Sequence, residues 1–251
     1  MRKHIIEVKN RSVSDYQSYL HGLQTGHISY VDFQETQLQF SYAALSFTEA
    51  LYLLTARWPS LAKSWMQVDS ESTPSEQRLS LFKEHSYLQF LEDLDLPNQV
   101  FESRAIWPEV EVFQRQLHSV CTYEAVFMAV AMMSIIEDIF SELSLDLQSF
   151  HRRAQLYTDK QVSAQASPNP FQFQLSPPET AHQCYQMLAK AYEEEPVHTR
   201  QIQQGLELGA YLLGKLFQNL FAFRKRRWIR QEEVISANGT KSPLHISNLN
   251  T

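Results

Sequence analysis

Glycine is scarce in this sequence of 251 residues, which contains six of them. No Asn-Gly or Asp-Gly pair separates two alternating apolar segments, so the tight turns that join β-strands have little support. Leu, Gln, Glu and Ala, which favour helices, are plentiful. We therefore expect an all-α protein.

The sequence has two cysteines, and their spacing argues against two kinds of small cysteine-dependent domain. Cys121 and Cys184 lie far apart and have no CxxC spacing, so neither a disulfide framework nor a zinc knuckle is indicated. The first twelve residues, MRKHIIEVKNRS, lack the apolar segment of a signal peptide. We expect a cytoplasmic protein.

Positive charge and long apolar runs are also missing. The formal net charge is -6, which argues against general binding of nucleic acid, because a surface that neutralises phosphates usually makes the total positive. The longest apolar run is about 16 residues, short of the roughly 20 that cross a bilayer. We expect a soluble protein with no nucleic-acid or membrane partner.

Apolar residues recur at helical spacing along most of the chain, which predicts about seven helices in one compact bundle. The hydroxyl of Ser29, with Asp32 three residues later, resembles a capping box, and Pro59 disfavours helical geometry at Trp58. The predicted helices cover Asp15 to Gln24, Ser29 to Trp58, Ser75 to Pro97, a short segment after Pro108, Ser119 to Leu147, Pro178 to Glu195 and Val197 to Ile229. We assign residues 1–230 to a single helical domain and residues 231–251 to a polar, loose tail.

Glu137 lies inside the most apolar stretch of the chain, residues 125–140 (AVFMAVAMMSIIEDIF). Asp138 and Glu142 follow it, so one interpretation is that Glu137 begins an exposed stripe. Against this, Val130, Met133 and Ser134, which precede it on the same helical face, form no charged stripe. We expect Glu137 to be buried, and a buried carboxylate needs a proton, a cation or a metal ion.

Two further segments carry metal-binding residue types. Glu179 and His182 are three residues apart, which places both side chains on one face of a helix, as in the Glu-x-x-His pairs of bundle proteins that bind two metal ions. His85 lies in LFKEHSYLQFLEDL, on a helix with one apolar face. Each of these patterns also occurs on ordinary solvated helices, so neither identifies a site alone.

The order of these features resembles the heme-oxygenase-like diiron oxidases and their PqqC, TenA and CADD relatives. The segment HGLQTGHISYVDFQETQLQFSYAALSFTEALYLLTARWPS resembles the opening helix of that family. LFKEHSYLQFLEDLDL resembles the helix with a metal-binding His, and AMMSIIEDIFSEL resembles the central helix with a ligand Glu. The family signature His-x-x-x-Asp-x-x-His is matched by LSPPETAH, in which Leu175 replaces the first His.

This resemblance implies a heme-oxygenase-like bundle and an iron-dependent oxidase or oxygenase that activates dioxygen to attack a small organic substrate. The implied metal ligands are His85, Glu137, Glu179 and His182. This set suits iron or manganese and is sufficient for one ion, whereas two ions would be underligated. The catalytic side chains stay unassigned, and a homodimer is one option for the assembly.

Two other functions remain open. A bundle that has lost ligands would bind a small molecule or a protein partner without turnover. The TenA-like branch is metal-free and uses a cysteine nucleophile, for which Cys121 is the better placed of the two thiols. The basic cluster of α-helical residues between Arg224 and Arg230 would serve an acidic partner, or would only place favourable charge at the end of a long helix.

Overall fold

The computed structural model describes residues 1–59, 106–157 and 178–237, and the regular elements within these ranges are all α-helices. They are α1 (Arg2–Gln24), α2 (Tyr30–Arg57), α3 (Pro108–Tyr123), α4 (Val126–Tyr157), α5 (Pro178–Glu194) and α6 (Pro196–Ala237). The all-α class is confirmed. The predicted helix Ser75 to Pro97 lies outside the described residues.

Helix α2 begins and ends where its sequence predicts. The Ser29 hydroxyl accepts a hydrogen bond from the backbone N–H of Asp32 at 3.1 Å, which satisfies one of the free donors in the first turn. At the other end, Trp58 leaves helical geometry and donates its N–H to the carbonyl of Leu54 at 2.9 Å. Pro59 follows, as expected for a residue that disfavours helix before it.

Helix α1 is longer than the predicted segment Asp15 to Gln24, because it begins at Arg2. Its first turn has no side-chain cap and no acidic residue, so the usual signals of a helix start are missing. Tertiary packing compensates for this poor start, since Val8, Ser12 and Tyr16 are buried at a spacing of four residues. The helix ends before Gly26, which has a φ of 72°.

The central helix also starts later than predicted. Residues 119–123 belong to α3, and Glu124 adopts an extended backbone before α4 begins at Val126. No glycine or proline marks this break. Arg57 of α2 instead donates hydrogen bonds to the carbonyl of Cys121 at 2.6 Å and to the carbonyl of Glu124 at 2.8 Å. A contact from another helix therefore stabilises the end of α3.

Side-chain contacts fix the directions of the helices. His4 of α1 meets Glu207 of α6, and Tyr19 of α1 meets Phe217 of α6, so α1 and α6 run in the same direction. Together with the glycine contacts of α6 described next, these pairs make α1, α4 and α6 parallel. Helix α2 runs the opposite way, because its aromatic rings contact those of α4 in reverse order. The ring pairs are Phe33 with Phe150, Phe40 with Phe140, and Trp58 with Phe127.

Helices α4 and α6 lie unusually close together. An added Cβ at Gly209 would come within 2.5 Å of the Met132 carbonyl oxygen, and one at Gly205 would overlap the Met128 carbonyl oxygen. The backbones therefore touch where a larger residue would separate them. Residues 129–136 of α4 are buried on all sides, which confirms the prediction of a central helix.

Helix α6 extends to Ala237, so residues 231–237, which we assigned to the tail, continue the helix. Residues 238–251 lie outside the described part of the chain, as do the side chains of the basic cluster. The last turn of α6 contains no basic residue, so the explanation of that cluster as helix-end charge is wrong. None of the helices within the described ranges is long and apolar enough to cross a membrane.

Candidate functional site

Glu137 projects into the interior from the middle of α4, and its residue surface is 5% exposed. This confirms the expected burial. The preceding turns of α4 are apolar, so the helix buries its whole circumference and carries the carboxylate with it. Asp138, the next residue, points about 100° further around the helix and is partly exposed.

Helix α5 provides the immediate surroundings of Glu137. Burial, and next the charge of Glu137, raise the pKa of the Cys184 thiol to about 12. Burial also raises the pKa of Tyr185 well above its usual range, with further contributions from the charges of Asp138 and Glu137. Both groups are therefore neutral at pH 7, and the charge of Glu137 acts on both of them.

Glu179 and His182 are on the same helix α5, in its first two turns. Helix α5 packs against α4, so the fold brings the helix of the Glu-x-x-His pair to the helix of Glu137. Their side chains, and the whole of His85, lie outside what the structure describes. Among the described side chains, no group of three His, Cys, Asp or Glu residues is arranged to hold a metal ion.

The residue types where α4 meets α5 are suitable ligands for a metal ion. An ionised carboxylate in a protein interior is costly unless a cation, a proton or hydrogen bonds compensate its charge. The pairing of Glu137 with the carboxylate and imidazole of Glu179 and His182 would give the oxygen and nitrogen ligands that iron and manganese accept. Glu137 is thus the described residue that would hold the ion, and α5 is the helix that would complete the set.

A second polar cluster lies beside the first, on the outer side of α4. Lys9 of α1 donates to Asp138 Oδ2 at 3.0 Å and to Glu142 Oε1 at 2.6 Å. The hydroxyl of Tyr185 donates to the same Asp138 oxygen at 3.2 Å. Burial alone would lower the pKa of Lys9, but its hydrogen bond to Glu142 and the charge of Asp138 outweigh burial and raise it. Lys9 is therefore a fixed cation and not a nucleophile.

This cluster forms the floor of an open groove of about 1000 Å³ between α1 and α5. The α1 wall is mostly apolar and includes Ile5, Ile6 and Val13, while Ala189 and Glu193 belong to the α5 wall. The volume is at the upper end of the range for small-molecule pockets. Tyr185 lines the groove, and the charge of Glu137 contributes to its raised pKa.

Lys9 and Tyr185 were not predicted as site residues. Lys9 was missed because α1 has no start signal, although the buried positions Val8, Ser12 and Tyr16 recur at helical spacing. Tyr185 follows His182 by three residues, which places it on the helical face proposed for the Glu-x-x-His pair. That spacing is a signal that could have identified it.

Cys121 has an environment that opposes nucleophilic chemistry. The residue is fully buried, and burial raises the pKa of its thiol to about 12 despite the opposing charge of Arg57. The thiolate is the reactive form of cysteine. At neutral pH this thiol is protonated and packed in the core.

Comparison of the chain with protein-family models and with curated proteins gives no match.

Proposed function

We propose that this protein is a metal-dependent, iron-preferring oxidase or oxygenase that acts on a small organic substrate. The observation that supports it most directly is the burial of Glu137 against α5, the helix that carries Glu179 and His182. A heme-oxygenase-like bundle with about seven helices, His85 as a further ligand and a cytoplasmic location belong to the same proposal.

An iron ion at this position would supply dioxygen activation. The protein residues around it have separate tasks. Apolar side chains of α4 exclude water from Glu137, which strengthens any electrostatic interaction there. Tyr185 keeps its proton because of its raised pKa, and this one proton is shared between Asp138 Oδ2 at 3.2 Å and the Ser134 carbonyl oxygen at 3.4 Å. Tyr185 also lines the groove between α1 and α5, which would be the route by which a substrate approaches.

Iron binding tests the proposal directly. The purified protein is incubated with Fe(II) without oxygen, desalted, and assayed for bound iron and then for dioxygen uptake. We expect at least about one iron per chain, and Glu137→Gln should weaken iron binding by at least about tenfold. Glu194→Gln is the matched control, because Glu194 is exposed at the far end of α5 and forms an exposed ion pair with Lys190.

The stability of the metal-free protein provides a second measurement. With metals removed, the free energies of unfolding of the original protein and of Glu137→Gln give the baseline for each protein. Iron should then stabilise the original protein but not the variant. A protein that binds no iron, with Glu137→Gln indistinguishable from it in iron content, would contradict the proposed function.

A further inference from the structure

A small apolar cavity lies where α2, α3, α4 and α6 meet. Its lining consists of four phenylalanines, two alanines, one isoleucine and one leucine, and all eight residues are buried. The room for the centre of a water-sized sphere is about 10 Å³, which is roughly the space of one such molecule. The cavity is distinct from the groove between α1 and α5, since the two share no lining residue.

The order of residues on α2 explains why this space is not filled. Phe40, Ala43, Ala44 and Phe47 all line the cavity, and their spacing places them on one face of the helix. The large rings hold the neighbouring helices at a distance, and Phe40 stacks on Phe140 of α4 with 5.0 Å between the ring centroids. The two alanines between the rings are too short to fill the gap that remains.

The lining suits an apolar guest better than water. A buried water molecule needs about two to four polar partners, and the side chains of Phe, Ala, Ile and Leu offer none. Apolar cavities stay dry for this reason and take up small apolar molecules instead. Dioxygen is apolar, is close to water in size and needs no hydrogen bond. The cavity therefore favours dioxygen over water.

The position of the cavity relates it to Glu137. Ile136 and Phe140 of α4 line the cavity, and they project about 100° and 60° around the helix from Glu137, away from Asp138. Asp138 lines the groove on the other side and accepts a hydrogen bond from Tyr185 of α5. Around the axis of α4, Glu137 thus projects between the cavity residues and the groove residue.

We propose that this cavity is the binding site for the dioxygen that the oxidase consumes, while the organic substrate uses the groove. The purpose of the site rests on the proposed function, but the binding of dioxygen requires no metal. A protein that binds iron at Glu137 and no dioxygen in the cavity would overturn this inference alone. A protein that takes up dioxygen here and binds no iron would contradict the proposed function alone.

NMR relaxation locates dioxygen, because the molecule is paramagnetic and accelerates the relaxation of nearby methyl groups. The full-length protein, freed of metals, is measured under nitrogen and under oxygen pressure. Ile136 lines the cavity, whereas Ile139 and Ile202 are similarly buried and lie outside its lining. We expect the added relaxation at Ile136 to exceed that at the two other isoleucines by at least about threefold. Equal effects at the three side chains would overturn the proposal.

Two variants of the cavity have opposite expected effects. Ala44→Val narrows the cavity and should remove the excess relaxation at Ile136, whereas Ala50→Val, at a buried position of α2 outside the lining, should retain it. Phe47→Leu enlarges the cavity and should raise the excess at least about twofold. Circular dichroism shows which variants fold, and Phe47→Leu decides if Ala44→Val does not. A folded Ala44→Val protein with the full excess, or a Phe47→Leu protein with no increase, would refute the assignment.

Discussion

Cys121 and Cys184 show how burial can dominate the protonation of a side chain. The charge of Arg57 opposes the shift at Cys121 and a hydrogen bond with Ser134 opposes it at Cys184, but burial outweighs both and raises the pKa of each thiol to about 12. The thiols therefore contribute to packing and not to reactivity. The buried thiols lower the free energy of unfolding only in alkaline solution, because there the unfolded chain can release thiol protons that the folded protein retains.

This difference predicts a loss of stability above pH 8.5. An exposed thiol ionises at about pH 8.5, so the contribution of each buried thiol is complete below that pH and decreases toward pH 12. Between pH 7.5 and 9.5, we expect the original protein to lose about 3 kcal/mol more than the double variant Cys121→Ala, Cys184→Ala.

The measurement is urea unfolding at the two pH values in the presence of a reductant. The change with pH is compared, rather than the absolute stability, because the double variant also loses core packing. Lys9 and Tyr19 also have raised pKa values. In the unfolded chain these groups ionise near pH 10 and above, so they affect the comparison between pH 7.5 and 9.5 less than the thiols do. Identical pH dependence in the two proteins would show that the thiols are not shielded from ionisation.

At the scale of helices, the contact between α4 and α6 depends on two glycines. Alanine normally stabilises a helix relative to glycine by about 1 kcal/mol. At Gly205 and Gly209 we expect the opposite, because the new methyl group would press on carbonyl oxygens of α4. Gly205→Ala and Gly209→Ala should each lower the free energy of unfolding by about 2 kcal/mol.

Arg200→Ala is the control for these variants, because Arg200 is exposed on the same helix. Its replacement should change stability by less than about 0.5 kcal/mol. Chemical denaturation at neutral pH measures all three variants. If the glycine variants were more stable than the original protein, α4 and α6 would be further apart than the structure indicates.

The end of α3 depends on a single side chain of α2. Arg57→Ala removes two hydrogen bonds to carbonyl oxygens at the end of α3, and we expect a loss of about 1–2 kcal/mol. Arg57→Lys should retain roughly half of this contribution, because an ammonium group cannot copy the two-pronged guanidinium geometry.

Arg115→Ala provides the comparison for Arg57, since Arg115 lies on α3 and forms an exposed ion pair with Glu111. Its loss should cost about 0.3–0.5 kcal/mol. Thermal and urea unfolding would both report the difference. A similar cost for the two arginines would mean that the contacts of Arg57 do not hold α3.

At the scale of the molecule, the parts of the fold that were predictable are those with local causes. Ser29 and Pro59 determine the ends of α2, and the apolar stretch around Glu137 determines the buried central helix. The parts that were missed have tertiary causes. The start of α1 depends on the burial of Val8 and Tyr16, and the break before α4 depends on Arg57, which is more than sixty residues away in the sequence.

The candidate site also has one feature with a local cause and others with tertiary causes. Burial of Glu137 could be predicted from its apolar neighbours, because a fully apolar helix has no solvated face for it. The groove could not be predicted, since it requires α1 and α5 to lie on either side of Asp138. Nothing in the sequence near Lys9 indicates that it meets Asp138 and Glu142 from a distance of about 130 residues.

The backbone contact of α6 with α4 has a consequence for the two adjacent carboxylates, Glu137 and Asp138. With Gly205 and Gly209 seated against its carbonyl groups, α4 cannot turn about its long axis without a collision. The azimuth of the helix is thereby locked, and with it the choice of which acid enters the core and which faces the groove. A larger residue at either glycine would force α4 to rotate about its axis. The rotation would move Glu137 and Asp138, although they lie more than a helical turn from the substituted residue and do not contact it.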